Sequence, residues 1–412
     1  MENSVPPGKT RIVSDARRNI SRAMTWDAAP HIEWVLAEGR FNPDINAMFL
    51  ELGARLHHAG APFQRVRFAM RTVHPLVTAI SAVWDADPDR VLEFKPEHGM
   101  EQRSSYVGSP IQIISQSGEP LRLRLDRALG PEAHLVVHEM KAQGITEYYG
   151  LPMAFSQGPR GAVIAVGTAR ANGLTDHDIT EVHRLAQGLA PVVEAYAANY
   201  MATAIATSYL GPRTGQRVLA GQITRGDIET IEGAILFSDI RGWTALNATR
   251  PATEALEVAN RYFEVISDAV GNNDGEILKF MGDGILALFP SDGSEVGKTQ
   301  ACRHAVAAAH AAHGIAALAE LSVPFGIGIH YGEVLYGNVG ARERLDFTIL
   351  GQAVNIAARV EAFCGRLEAP VLVSDSVAEA VGGPTAHVST EALKGVDTPM
   401  GLYAPQSPAS AS

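Results

Sequence analysis

Two aspartates stand where short apolar runs end. In LFSDIRGWT (236–244) a buried-type strand delivers Asp239 and turns through a glycine toward a helix. In EILKFMGDGILALF (276–289) Asp283 sits in an Asp-Gly turn between two apolar strands. Singly, Asp239 reads as a helix cap and Asp283 as a turn residue. Residues 229–330 read strand, helix, strand, turn, strand, helix, strand. In a βαββαβ unit of that order the first strand lies beside the following hairpin, so the two carboxylates share one site. Paired hard oxygen ligands with little else around them suit Mg²⁺ or Mn²⁺ and leave coordination positions for phosphate oxygens. After Asp239, the backbone of Ile240, Arg241, Gly242, Trp243 and Thr244 turns into a helix whose free N–H groups can hold a polyphosphate. Ile240 is counted with the metal end as well, and Gly242 lets the main chain come close.

The elements that position these groups occupy the second half of a chain of 412 residues, long enough for two domains, with 46% apolar residues to give each a core. The expected division is an N-terminal segment (1–40), a mixed α/β regulatory domain (41–200), a helical linker (201–228), a catalytic domain (229–405) and a flexible tail (406–412). A formal net charge of −11 argues against a nucleic-acid or anionic-membrane partner. Cys302 and Cys364 make no disulfide framework and no zinc spacing, which fits a cytoplasmic protein. The alanine-rich run from Ala301 carries Arg303, His304, His310, His313 and Glu320, and so reads as a packed helix rather than a membrane span.

FSDIRGWT, LKFMGDGILALF, GIGIHYGEVLYGNVG and LDFTILGQAVNIAARVE resemble, in order and spacing, the signature segments of class III nucleotidyl cyclases, and LKGVDTPMGLYAP resembles that family's last strands. A diguanylate cyclase shares the strand order, but its GG(D/E)EF turn is absent here. The resemblance implies an α+β fold with a ferredoxin-like βαββαβ catalytic domain. It also implies head-to-tail homodimers with active sites at the subunit interface, and two Mg²⁺ or Mn²⁺ ions per site. Asp239 and Asp283 match the metal-binding aspartates. Lys279 and Thr348 match the base-reading pair: the ammonium donates to an adenine ring nitrogen, and the threonine hydroxyl accepts from the amino group. Lys with Thr resembles the subclass called IIIb, which includes bicarbonate-responsive enzymes. Guanylyl cyclases typically carry Glu and Cys at these positions. Asn355 and Arg359, four apart on one helical face, match the pair that orients the ribose and stabilises charge on the reacting phosphate. Lys394 is a candidate for the terminal phosphates. The expected activity is ATP to cyclic AMP and pyrophosphate; the alternatives are a guanylate cyclase or a catalytically silent nucleotide-binding scaffold.

Upstream, apolar positions from about Asp44 to Val83 recur at helical spacing, broken by HAGAPF (58–63). LRLRL (121–125), residues 148–155 and residues 162–169 read as strands, and Thr175 with Asp178 forms a capping-box pattern opening a helix that runs to about Leu210. This order loosely resembles a GAF-type sensor for a small-molecule or protein signal. Trp26 and Trp34 read as packing anchors, His57 with His58 as a helix-surface pair, and His134 with His138 as a weak metal-site candidate.

Overall fold

The computed structural model describes residues 25–406 except Pro43, Pro88, 157–160 and Gly395. The expected flexible start (residues 1–24) and most of the expected tail (407–412) lie outside the described residues. The chain divides into two compact units, Met1–Ile205 and Ala206–Ser412.

The first unit opens with α1 (Ala29–Ala37) and α2 (Ile45–His58), the latter capped by Asp44, which accepts the Asn46 N–H at 2.9 Å. Strands β1 (Arg65–Arg71), β2 (Ala79–Ala86) and β3 (Asp89–Phe94) follow, then α3 (Pro110–Ser117), β4 (Leu121–Arg124), α4 (Leu135–Ala142), β5 (Glu147–Ala154), β6 (Gly161–Thr168) and α5 (Asp176–Leu210). They build one antiparallel sheet in the order β3-β2-β1-β6-β5-β4. The helix ends at His58, where HAGAPF was expected to break it, but the helical reading beyond that break is corrected: three strands follow. Val66, Phe68 and Met70 are all buried and alternate along β1, but their i, i+4 pair also fits a helical period, so a short window does not separate the two.

One sheet face carries the larger core, where Phe49, Leu52 and Leu56 of α2 meet Phe68, Ile164 and Leu185. Thr175 and Asp178 form the expected reciprocal cap: the Asp178 N–H donates to Thr175 Oγ1 at 3.1 Å and the Thr175 N–H to Asp178 Oδ2 at 2.9 Å. The same Asp178 accepts from Trp26 Nε1 at 2.8 Å, and Glu181 accepts from the Ala28 N–H at 2.7 Å, tying the entry of the chain to α5. Trp26 and Trp34 are buried, as expected of anchors. His134 caps α4, its Nδ1 accepting from the Val136 N–H, so it is committed to the backbone and not paired with His138. Ile111, Ile114, Leu125, Met140 and Tyr148 form a smaller core on the opposite face.

The second unit comprises α6 (Pro212–Leu219), β7 (Ile228–Ile240), α7 (Trp243–Thr249), α8 (Ala252–Gly271), β8 (Glu276–Met281), β9 (Gly284–Ser291), α9 (Glu295–Leu318), β10 (Phe325–Gly340), β11 (Leu345–Leu350), α10 (Gln352–Arg366), β12 (Val371–Ser374), α11 (Asp375–Val381), β13 (Thr385–Glu391) and β14 (Met400–Pro405). The strand order is β13-β14-β12-β10-β7-β9-β8, with β11 paired to β10. Its central run β10-β7-β9-β8 is the expected βαββαβ arrangement, first strand beside the hairpin. Tyr262, Ile266, Ala305 and Ala309 of α8 and α9 pack on one face; α10 covers the other, with Ala357 against Ile235 and Leu286. The approach of α10 is close because Gly328 allows it: a Cβ there would stand 2.2 Å from the Glu361 backbone N. The alanine-rich run is the packed helix α9, and among the described residues no helix is long and apolar enough to cross a membrane.

His330 on β10 is buried, its Nδ1 2.8 Å from Ser374 Oγ, and burial pushes its pKa down to about 4 against the opposing pull of Asp375. In the unfolded chain the ring takes a proton near its ordinary value of 6.5; folded, it resists until about 4. Unfolding therefore takes up a proton between those values, and stability falls as pH drops through that window, by up to about 3 kcal/mol from this residue. Urea unfolding of wild type and His330→Gln at pH 4.5 and 7 should show a smaller acid loss in the variant; equal losses would remove His330 from the account.

Candidate active site

Asp239 lies at the penultimate position of β7, half-buried, with Gly284 of β9 and Gly326 of β10 as its register partners. The hairpin turn is one residue earlier than its Asp-Gly signature suggests. Met281 pairs with Gly284, so Gly282 and Asp283 form the two-residue loop, and Gly282 supplies the positive φ (68°) that such loops need. The two aspartate side chains are close neighbours, near enough for one charge to act on the other. Burial, then the neighbouring Asp283 charge, pushes the Asp239 carboxyl up to about 6. No lysine or arginine forms an ion pair with either carboxylate among the described residues. Two adjacent acidic oxygens, repelling each other and lacking a cation, are a donor set that fits a divalent metal ion. It is a pair and not a cage: no group of three or more His, Cys, Asp or Glu able to hold a metal exists among the described residues.

Behind the pair stand two groups that matter to its charge. Glu361, on the inner side of α10, is pushed up to about 7, by burial first and then by Asp239, with Arg241 opposing. Gly326 leaves the room for them: a Cβ there would lie 2.5 Å from Glu361 Oε1 and 3.4 Å from Arg241 Nη2. Arg241 donates from Nη2 to Ala369 O at 2.9 Å and from its backbone N–H to Pro324 O at 2.9 Å. Of the five residues expected to offer free amides, Arg241 therefore has its N–H engaged, because the chain leaving β7 stays paired for one residue more. Ile240 is buried and laddered to Phe325. Gly242 has φ 72° and turns the chain into α7, with Trp243 half-buried and Thr244 exposed.

The other candidates gather elsewhere. Lys279 on β8 is ion-paired with Asp346 of β11, and Thr348, two residues on, is buried opposite Gly337. Asp346 was not foreseen, since its proximity depends on β11 folding over toward β8, and only its place in LDFTIL hinted at it. Asn355 and Arg359 lie on one face of α10; Asn355 Nδ2 reaches back to Gly351 O at 3.5 Å, and Arg359 is half-buried without an ion-pair partner among the described residues. Lys394 is exposed in the turn before β14. Asp239 thus stands at the first residues of β10, where its partner is Gly326, while Thr348 stands at the far end, where its partner is Gly337.

Residues 228–397 match the family described as the adenylate and guanylate cyclase catalytic domain. This segment belongs to that family. An adenylate cyclase from Anabaena cylindrica is 31% identical to this chain over 194 residues, covering 43% of this chain and 37% of its own. Adenylate cyclase 1 of Rhizobium meliloti is 33% identical over 153 residues, covering 35% and 23%. The crystal structure of the adenylyl cyclase CyaB from P. aeruginosa is similar at 25% identity, covering 44% of this chain and 96% of that one, with a TM-score of 0.39. The chain spans well under half the length of these curated relatives, and the likeness lies in the cyclase domain. Cyclase domains of this family depend on divalent metal ions, and the Asp239–Asp283 pair is where such an ion fits.

Proposed function

We propose that this chain is an adenylate cyclase that converts ATP to 3′,5′-cyclic AMP and pyrophosphate. The observation that carries the choice of base is Lys279 beside the β11 strand that bears Thr348. A fixed ammonium and a threonine hydroxyl complement adenine, whose ring nitrogen accepts and whose amino group donates; guanine presents the opposite pattern. Asp346 holds the Lys279 side chain in position until a base takes its place. Asp239 and Asp283, with the Ile240 backbone, hold two ions, Mg²⁺ or Mn²⁺, which when bound lower the pKa of the ribose 3′-hydroxyl and neutralise the triphosphate. Gly242, Trp243 and Thr244 present amides to the phosphates. Arg359 follows the charge as it moves onto the leaving pyrophosphate, Asn355 orients the ribose, and Lys394 meets the terminal phosphate. No side-chain nucleophile is required.

The placement of Asp239 and Thr348 at opposite ends of β10 supports a head-to-tail homodimer in which each site takes its aspartates from one subunit and its other groups from the second. The N-terminal unit is the regulatory domain in this reading, with a GAF-like element order. Two buried free cysteines suit a cytoplasmic setting.

The purified full chain should release cyclic AMP from ATP in Mg²⁺ or Mn²⁺, and little cyclic GMP from GTP. Preference for GTP, or no product with either metal, overturns the proposal. Lys279→Glu with Thr348→Cys should cut ATP turnover about 10–100-fold, the loss expected for charge-assisted hydrogen bonds, and raise GTP use; an unchanged ATP preference would discredit the base-reading pair.

A further inference from the structure

Strand β1 sends Val66, Phe68 and Met70 to the larger core of the N-terminal unit, while Arg65 and Arg67 point to the other face, where α3 and α4 lie. There they line a small cavity that opens to solvent, together with Val83, Ile111, Val136 and Met140. The polar side chains in this apolar wall are the two arginines and Tyr148.

These three groups are not equally satisfied. Arg65 has its counterion, donating from Nε to Asp85 Oδ1 at 2.6 Å. Arg67 makes one contact from Nε, to Ser81 Oγ at 3.3 Å, and has no carboxylate within ion-pair distance among the described residues. It lies deep, burial pulling its guanidinium below the ordinary arginine range, yet its surface is only partly covered, as befits a side chain facing a cavity. Tyr148 is 4% exposed, and its hydroxyl has no hydrogen-bond partner. A buried positive charge without a counterion and a buried hydroxyl without a partner, neighbours in an apolar cavity, are costly unless something supplies a negatively charged acceptor.

We propose that this cavity binds a small monocarboxylate with an apolar body, its carboxylate bridging the Arg67 guanidinium and the Tyr148 hydroxyl. One uncompensated arginine calls for one negative charge, which its planar fork holds bidentately. The aliphatic lining calls for carbon rather than a second polar group. The site is independent of the catalytic reading and stands or falls without it.

Calorimetric titration of the full chain with butyrate tests this, with n-butanol, n-butylamine and inorganic phosphate as look-alikes. Butyrate should bind saturably, at least about tenfold tighter than each of the others, the discrimination expected of a charged hydrogen-bonding pair. Arg67→Met should abolish binding yet raise the melting temperature of the ligand-free chain, since a merely structural arginine would lower it. Tyr148→Phe, which keeps the ring, should weaken butyrate several-fold. Absence of saturable butyrate binding by wild type, equal binding of n-butanol or phosphate, or undiminished binding by either variant would overturn the assignment.

Discussion

Asp283→Ala should cost on the order of a thousandfold in cyclase turnover, because in the proposed reading it removes one of the two carboxylates that hold the metal ion and with it several kcal/mol of charge stabilisation. The same change should leave the melting temperature of the protein unchanged or slightly higher. Asp283 repels Asp239 and helps push its carboxyl up to about 6, so its loss relieves strain in the ligand-free fold. Activity and stability moving in opposite directions is the mark of a residue kept for chemistry. A variant that lost activity by unfolding, or that kept substantial Mg²⁺- or Mn²⁺-dependent turnover, would defeat the assignment.

Mixing two dead variants should restore activity. Asp283→Ala and Arg359→Ala each leave a homodimer with no intact site. If the aspartates and the arginine of one site come from different subunits, the mixed dimer has one site with every group present and one lacking both. Random assortment makes half the dimers mixed, so co-refolded or co-expressed variants should recover about a quarter of wild-type turnover. The placement of Asp239 and Thr348 at opposite ends of β10 motivates the experiment. Recovery of nothing, with mixed dimers demonstrated by differential tags, would mean that each chain builds its own site.

What could be read in advance follows from how local each signal is. Asp239 and Asp283 were legible because a strand end and a two-residue turn are written in a few consecutive residues, and the βαββαβ order alone brings them together. Even there the turn sits one residue early, since Gly282 and not Gly284 takes the positive φ. That Asn355 and Arg359 share one helical face was legible from their spacing; their candidacy for the site came from the resemblance alone. Asp346 and Glu361 were not: the first meets Lys279 only because β11 folds toward β8, and the second faces inward only because α10 lies tightly on Gly328. Arg241 kept its amide occupied for the same kind of reason, the pairing of a neighbouring strand. In the N-terminal unit the strands between Arg65 and Phe94 were hidden because alternating and helical periods coincide over short runs, and only pairing with β6 across about a hundred residues of chain decides between them.

The bond from Trp26 to Asp178 has a bearing on how the protein comes into being on the ribosome. Its two ends are 152 residues apart in the chain. At about 5–20 residues per second, roughly 8–30 s pass between the emergence of the tryptophan and that of its acceptor on α5. Through that interval Trp26, Phe63 and Trp84 have no finished core to enter. The nascent N-terminal half is then a natural client for a chaperone, while the cyclase half, made afterwards, emerges behind a unit already able to close.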